Sequence, residues 1–242
     1  MAEAFTLPAR EPHEPNAAYV LRALRMAIVT HRVEPGQMLS EQEIARRFAI
    51  SRQPVREAFI KLSEAGLVRV LPQRGTQVAR ISLAEVGDAR FVRQAVEIAL
   101  AAEAARQITG VGAKALAAHI RAQLAAAEEA EQAAGQGAEA ARERFYFLDE
   151  AFHADLARIA ERPASWKMLE TVKAQMDRVR FLAIERSSPL EAIIAQHRAI
   201  VDAVSAGDAA AAAAAMEAHL SSILGELPEL RRLYPSHFAE EG

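Results

Sequence analysis

Ile50-Ser51-Arg52-Gln53-Pro54-Val55-Arg56-Glu57-Ala58 is the stretch that decides how this chain is read. It has the grammar of a helix start. Ser51 stands where a hydroxyl can accept a free amide of the first turn, and Pro54 lies in that turn, where a missing N–H costs little. Arg52 and Arg56 are four residues apart and share one helix face. Such a tip offers unpaired amides, two guanidinium groups and the Gln53 amide. Those groups suit phosphate oxygens and the guanine or adenine edges of a DNA major groove.

The residues on either side give this tip a frame. From Asn16, the spacing of Val20, Leu21, Leu24, Ile28 and Val29 predicts a helix that ends near Thr30–His31. Glu34-Pro35-Gly36 is a turn signal. Ser40-Glu41-Gln42-Glu43 has the form of a capping box, opening a helix through Ile44, Ala45 and Phe48. Ala49-Ile50 is then a tight turn. The next helix buries Val55, Ala58, Phe59 and Leu62 and ends at Gly66. Helix, short turn, helix at this spacing is a helix-turn-helix. Two strands, 67–71 and 76–80, flank Pro72-Gln73-Arg74-Gly75, which suits a hairpin. The hairpin tip is a wing. It presents Arg74, and Gly75 lets the backbone approach a phosphate or a minor groove.

Composition sets the limits around this core. The chain has 242 residues, 51% of them hydrophobic, enough for two ordinary domains. It has no cysteine, which excludes disulfides and thiolate metal sites. No charge-free apolar run is long enough to span a membrane, and the proline-bearing, acidic first fifteen residues do not read as a signal peptide. The expectation is a cytoplasmic protein without a membrane partner. The net charge of −3 hides an asymmetry. Residues 17–80 carry 11 Lys and Arg against 5 Asp and Glu, whereas residues 81–242 carry 17 against 24. Only the first part is suited to a polyanion.

The expected organisation is a mobile arm (1–15), a winged helix-turn-helix (16–80), a linker (81–85), an all-α antiparallel bundle (86–227) and a tail (228–242). The fold class is therefore mostly α. In the bundle, expected helices cover 86–106, 113–134, 139–159, 165–184, a segment opened by Ser188-Pro189, and one capped by Asp208 that includes seven consecutive alanines. Asp149 and His153 leave one helix face at i, i+4, with Leu148, Phe152 and Leu156 around them. His197 precedes Ile200 and Val201, and His219 lies beside Leu220 and Ile223. Three imidazoles and a carboxylate from three helices can converge on a divalent ion such as zinc, nickel, manganese or iron(II). Read singly, a histidine on an apolar helix face is usually a satisfied core or boundary residue. Arg93 is an effector clamp in waiting, since a guanidinium pairs with a carboxylate, or else an intrahelical partner of Glu97. Arg178 and Arg180 are weaker effector candidates.

Pro35-Gly36, Leu39-Ser40-Glu41, Ile44-Ala45, Ser51-Arg52-x-Pro54-Val55-Arg56-Glu57-Ala58, Leu62, Gly66-Leu67 and Arg74-Gly75-Thr76 together resemble the GntR family of bacterial transcription regulators. Arg93-x-x-Val96-Glu97, Asp149-x-x-x-His153, Gln196-His197, Ala206-Gly207-Asp208 and Ala218-His219-Leu220 resemble its FadR-type C-terminal domain, the FCD subgroup. The resemblance implies a homodimer on a palindromic double-stranded operator. The DNA contacts it carries over are Ser51, Arg52, Gln53, Pro54, Arg56 and Gly75. It further implies a metal on Asp149, His153, His197 and His219 that helps hold a small organic acid. Two departures matter. Gln42 stands where some relatives have a DNA-contacting arginine, so any contact there lacks a charge. Glu161-Arg162 stands before Pro163, where relatives often have Gly-Asn. The expectation is a metabolite-responsive regulator acting as a repressor. A direct metal sensor is the alternative. A metallohydrolase fused to a DNA-binding domain is remote, because no general base accompanies a ligand histidine as in an HExxH helix.

Overall fold

A computed structural model describes residue 5 and residues 7–186 and 189–240. Its elements, in order, are α1 (Asn16–Val29), β1 (Met38–Leu39), α2 (Glu41–Arg47), α3 (Arg52–Glu64), β2 (Val68–Leu71), β3 (Gly75–Val78), α4 (Leu83–Gln107), α5 (Gly110–Gln132), α6 (Gln136–Ile159), α7 (Pro163–Val172), α8 (Ala174–Arg186), α9 (Leu190–Ser205), α10 (Ala209–Ser222) and α11 (Leu227–Leu233). The chain forms two compact units. The first comprises residues 1–87, 174–178 and 231–242, and the second 88–173 and 179–230. The first unit thus takes in two segments that lie far along the sequence from the winged domain. One is the opening turn of α8. The other is the end of the chain, where Phe238 forms a parallel bridge with Ile81.

The first unit is built on α1 and α3. Val20, Leu24 and Ile28 pack with Val55, Phe59 and Leu62, and Leu67, Val78 and Ala174 complete the core. Ser40 caps α2 by accepting from the Glu43 amide at 3.4 Å. The turn before α3 closes with Ile50 N–H donating to Ala45 at 3.0 Å, and it requires Ala49 at φ +52°. Ser51 occupies the N-cap position of α3 but makes no side-chain cap bond, so its hydroxyl stays exposed. The wing is a three-stranded antiparallel sheet in the order β1-β3-β2. Met38 pairs with Gln77 and Leu39 with Thr76. The third strand, β1, was not expected, because two residues carry no alternation to read. The segment expected as a mobile arm is docked along part of its length. Phe5 is buried, with the Arg47 guanidinium 4.3 Å from its ring centre, and the Tyr19 hydroxyl donates to the Pro8 carbonyl at 2.9 Å.

Gly66 ends α3 at φ +69°, and an added Cβ would sit 3.0 Å from Glu85 Oε2. Gly66→Ala should therefore lower unfolding stability by about 1–2 kcal/mol, most of it the left-handed backbone cost; urea denaturation reads this directly. His31 supplies a second prediction. Burial, with the Arg178 charge and His237 beside it, pushes its pKa down to about 3. In the unfolded chain it titrates near 6.5. As pH falls below that value the unfolded state takes up a proton that the folded state refuses. The stability held by neutral His31 is thus present above about pH 6.5 and is lost progressively toward pH 3. In His31→Gln, the melting temperature should fall less steeply over that range than in the wild type.

Among the described residues the second unit has helices and no strand, with Leu116, Phe145, Phe152, Leu156, Ile200, Val204 and Leu220 in its interior. Asp208 caps α10 by accepting from the amides of Ala210 and Ala211. The helix expected over 165–184 is two helices, α7 and α8, parted at Lys173. That side chain is buried and bonded to Glu150, with its Nζ 5.0 Å from the Trp166 ring centre. Ser188, expected to open the following helix, lies outside the described residues, and α9 begins after Pro189. Among the described residues no helix is long and apolar enough to cross a membrane.

Candidate metal centre and nucleic-acid interface

Helix α6 carries Asp149 and His153, α9 carries His197 and α10 carries His219. All four side chains are buried. Each offers a ligand atom, and these atoms lie within 4.8 Å of one another. The His219 Nε2 is 3.2 Å from His153 Nε2 and 3.4 Å from His197 Nε2, and His197 Nε2 is 3.3 Å from Asp149 Oδ1. Donors at about 2.0–2.2 Å from one ion stand about 3.0–3.5 Å apart, and these three separations fall in that range.

The outer nitrogens fix which ring atoms face inward. His197 Nδ1 donates to Gln123 Oε1 at 2.8 Å, and His219 Nδ1 donates to Gln196 Oε1 at 2.8 Å. His153 Nδ1 lies 2.5 Å from the Glu97 carboxylate. The Gln123 amide orientation is set independently, because its Nε2 donates to the Leu148 carbonyl. With protons held on Nδ1, three Nε2 lone pairs and one carboxylate oxygen converge. Lone pairs at these distances repel one another unless a cation lies between them. The residues present therefore fit a divalent ion.

The charges around this centre are paired. Arg180 donates to Asp149 and also to Glu150, which Lys173 meets from its other side. Arg93 Nε donates to Glu97. Burial alone would raise the carboxylate pKa values. Instead, the Arg180 charge holds Asp149 well below its usual range, and the Arg93 charge with the hydrogen bond from His153 Nδ1 does the same for Glu97. Lys173 and Arg180 bring Glu150 down to about 2. Burial lowers the pKa values of His197 and His219, which favours the neutral, ligating form. Trp166, the only tryptophan in the chain, lies parallel to the His153 ring with centroids 6.1 Å apart.

Of the two readings of Arg93, the structure shows the pair with Glu97; its Nη2 is buried without a hydrogen-bond partner among the described residues. Arg178, expected with it at the effector, is placed otherwise. It belongs to the first unit, where its Nη1 donates to the Ala79 carbonyl at 2.8 Å and to Gln175 Oε1 at 3.2 Å. Two residues along α8 is about 200° around the helix axis, so Arg180 leaves the opposite side.

At the other candidate site, Arg52, Gln53 and Arg56 are exposed on the first turns of α3, and Pro54 sits in the first turn. Glu41 gathers the two arginines, accepting from Arg52 Nη2 at 2.8 Å and from Arg56 Nε at 2.9 Å. Gln53 Nε2 donates to Glu57 at 3.2 Å. Gln42, Arg52, Arg56, Arg74 and Gly75 line one groove between the α3 tip and the wing. Gly75 is at φ +106°, as the hairpin requires.

A helix-turn-helix with a wing, joined to a helical bundle, defines a DNA-binding transcription regulator rather than an enzyme. Residues 16–78 match the model of the bacterial regulatory proteins of the gntR family, and residues 88–222 match the FCD domain. The chain belongs to the GntR family and carries an FCD domain. It is 38% identical to the HTH-type transcriptional repressor RspR of Escherichia coli (strain K12), over 95% of this chain and 96% of that protein. It is 28% identical to the probable D-xylose utilization operon transcriptional repressor of Paenarthrobacter nicotinovorans, over 86% and 87%. Among solved structures it resembles E. coli McbR/YncC with a TM-score of 0.74 at 18% identity, covering 91% of this chain and 99% of that one. It also resembles a GntR regulator from Rhodococcus sp. RHA1 with a TM-score of 0.63 at 24% identity, covering 86% and 97%. At such identities these two likenesses speak for the fold alone.

Proposed function

We propose that this regulator is a homodimeric repressor whose operator affinity is set by a small organic acid held with a divalent ion in the bundle. The observation that carries the reading is the gathering of three imidazole nitrogens and one Asp149 carboxylate oxygen within 4.8 Å of one another. Asp149, His153, His197 and His219 would hold the ion, which supplies a Lewis-acid anchor for a carboxylate. Gln123, Gln196 and Glu97 keep the rings turned so that Nε2 faces inward. Arg93 Nη2 is the donor for the acid. On the DNA side, Arg52 and Arg56 reach base edges or phosphates from the recognition-helix tip. Ser51, Gln53 and Pro54 shape that tip. Arg74 and Gly75 meet the backbone or minor groove from the wing, and Gln42 contributes an uncharged contact. The relatives named as repressors support repression as the mode of action. The acid changes DNA binding only to the extent that it binds the two states of the protein differently.

The test is operator affinity. A binding sequence is first selected from random duplexes, and its dissociation constant is then measured against a panel of small organic acids, with and without a chelator. The expected result is an acid that shifts the affinity at least about fivefold, and only without chelator. If the same acid acts equally after chelation, the ion has no part in the response. If metal alone produces the whole shift, the protein is a direct metal sensor.

A further inference from the structure

Acids stand among the groups that face DNA. Residues 17–80 carry five acidic side chains, and two of them, Glu41 and Glu43, line the groove that holds Arg52, Arg56 and Arg74. A carboxylate there repels every phosphate that approaches, so it lowers affinity for any duplex. The two acids differ in their bonds. Glu41 Oε2 accepts from Arg52 Nη2 at 2.8 Å and from Arg56 Nε at 2.9 Å, and Oε1 accepts from the same Nε at 3.1 Å. These bonds, that from Arg52 foremost, hold the Glu41 carboxyl below the usual carboxylate range and keep it charged. Glu43 is exposed and pairs with neither arginine, both of which go to Glu41.

The consequence of the Glu41 bonds depends on what replaces them. On an arbitrary duplex the arginines can leave Glu41 for phosphates. That exchanges one anion for another and leaves an unpaired carboxylate facing the backbone, so the gain is small. On a guanine, a guanidinium gains two acceptors, O6 and N7, at a spacing that fits its fork. The carboxylate it leaves can then accept from a cytosine amino group, which only some sequences place within reach. A repulsive element that is relieved at the right sequence and not elsewhere raises selectivity while lowering affinity.

We propose that Glu41 is a specificity-determining residue of the DNA interface. It tethers Arg52 and Arg56, and the tether yields to base edges more readily than to phosphates. This rests on the DNA-binding reading above and extends it to a residue that touches the arginines and repels the backbone. Glu41 thereby suppresses binding to DNA at large.

The test measures full-length wild type, Glu41→Gln and Glu43→Gln on a selected operator and on a random duplex of the same length, across a salt series. Each substitution removes one negative charge from the groove. Neither touches the Ser40 cap, which uses the Glu43 backbone amide. Glu41→Gln should tighten random-duplex binding at least about threefold more than it tightens operator binding, the scale of exposed ion pairs. Its plot of log affinity against log salt on random DNA should steepen by about 1, as an arginine freed from Glu41 takes a phosphate. Glu43→Gln should shift both duplexes alike, because it frees no arginine. Equal shifts on the two duplexes in Glu41→Gln, or the same loss of selectivity in Glu43→Gln, overturn the role of Glu41 and leave the DNA-binding reading intact. Wild-type protein that selects no operator overturns both.

Discussion

Replacing His197 with alanine is expected to lower divalent-ion affinity by more than about 100-fold. Loss of an outer-shell partner alone costs about 10–100-fold, and in the proposed reading His197 is a direct ligand. The structure explains why the effect should be large. His197 Nε2 lies between His219 Nε2 and Asp149 Oδ1, so its removal opens the middle of the donor set. The apoprotein should respond too. His197 is fully buried and stacked on Phe152 at 4.4 Å, and its loss leaves Gln123 Oε1 without its donor. An unsatisfied buried acceptor costs about 1–3 kcal/mol, apart from the cavity. Calorimetric titration separates the two consequences, because a destabilised but intact site would still bind the ion tightly at low temperature. Trp166, parallel to His153, gives a second readout through its fluorescence as the ion enters.

The second large effect is expected on the DNA side. Arg52→Ala with Arg56→Ala should weaken binding to a selected operator by about 100- to 10,000-fold, since each good base contact contributes about 1–3 kcal/mol. Neither residue supports the core, as both are exposed, so the melting temperature should hardly move. Salt dependence then assigns the contacts. A lost phosphate contact makes the plot of log affinity against log salt shallower by about 1 per contact, whereas a lost base contact relaxes sequence preference instead. Glu41 holds both guanidinium groups in the DNA-free protein and must yield them on binding. Exposed pairs of this kind are weak, so this should cost little.

How much of this was legible in the sequence depended on how local each signal was. The recognition helix, its preceding turn and the wing hairpin are encoded by short-range features: the Ser40 cap, the Ala49-Ile50 turn, Gly66, and Gly75 in the hairpin. Strand β1 has no such signature, because its two residues become a strand only by pairing with β3. In the bundle, Asp149 and His153 announce a shared face through their i, i+4 spacing. Nothing in the spacing of His197 or His219 says that α9 and α10 bring them to that face. The outer partners were harder still. Gln123 is one polar residue on an alanine-rich helix, and only its bond to His197 gives it a role. Arg178 and Arg180 could not be ranked from sequence. They lie on opposite sides of α8, and the tertiary contacts alone decide that Arg180 meets Asp149. The break at Lys173 was hidden for a similar reason. No helix-breaking residue stands there, and the side chain at the break is a buried ammonium that reaches Glu150.

The central claim is that the bundle is built around a divalent ion. It is tested most directly by the metal content of full-length protein purified without a polyhistidine tag, compared with His197→Ala prepared in the same way. The account predicts close to one ion per chain in the wild type and almost none in the variant. Wild-type protein that lacks metal even after incubation with zinc, nickel, manganese or iron would contradict it, as would equal metal in the two preparations. Asp149, His153, His197 and His219 would then be a buried polar network, and the acid would have to be sought elsewhere.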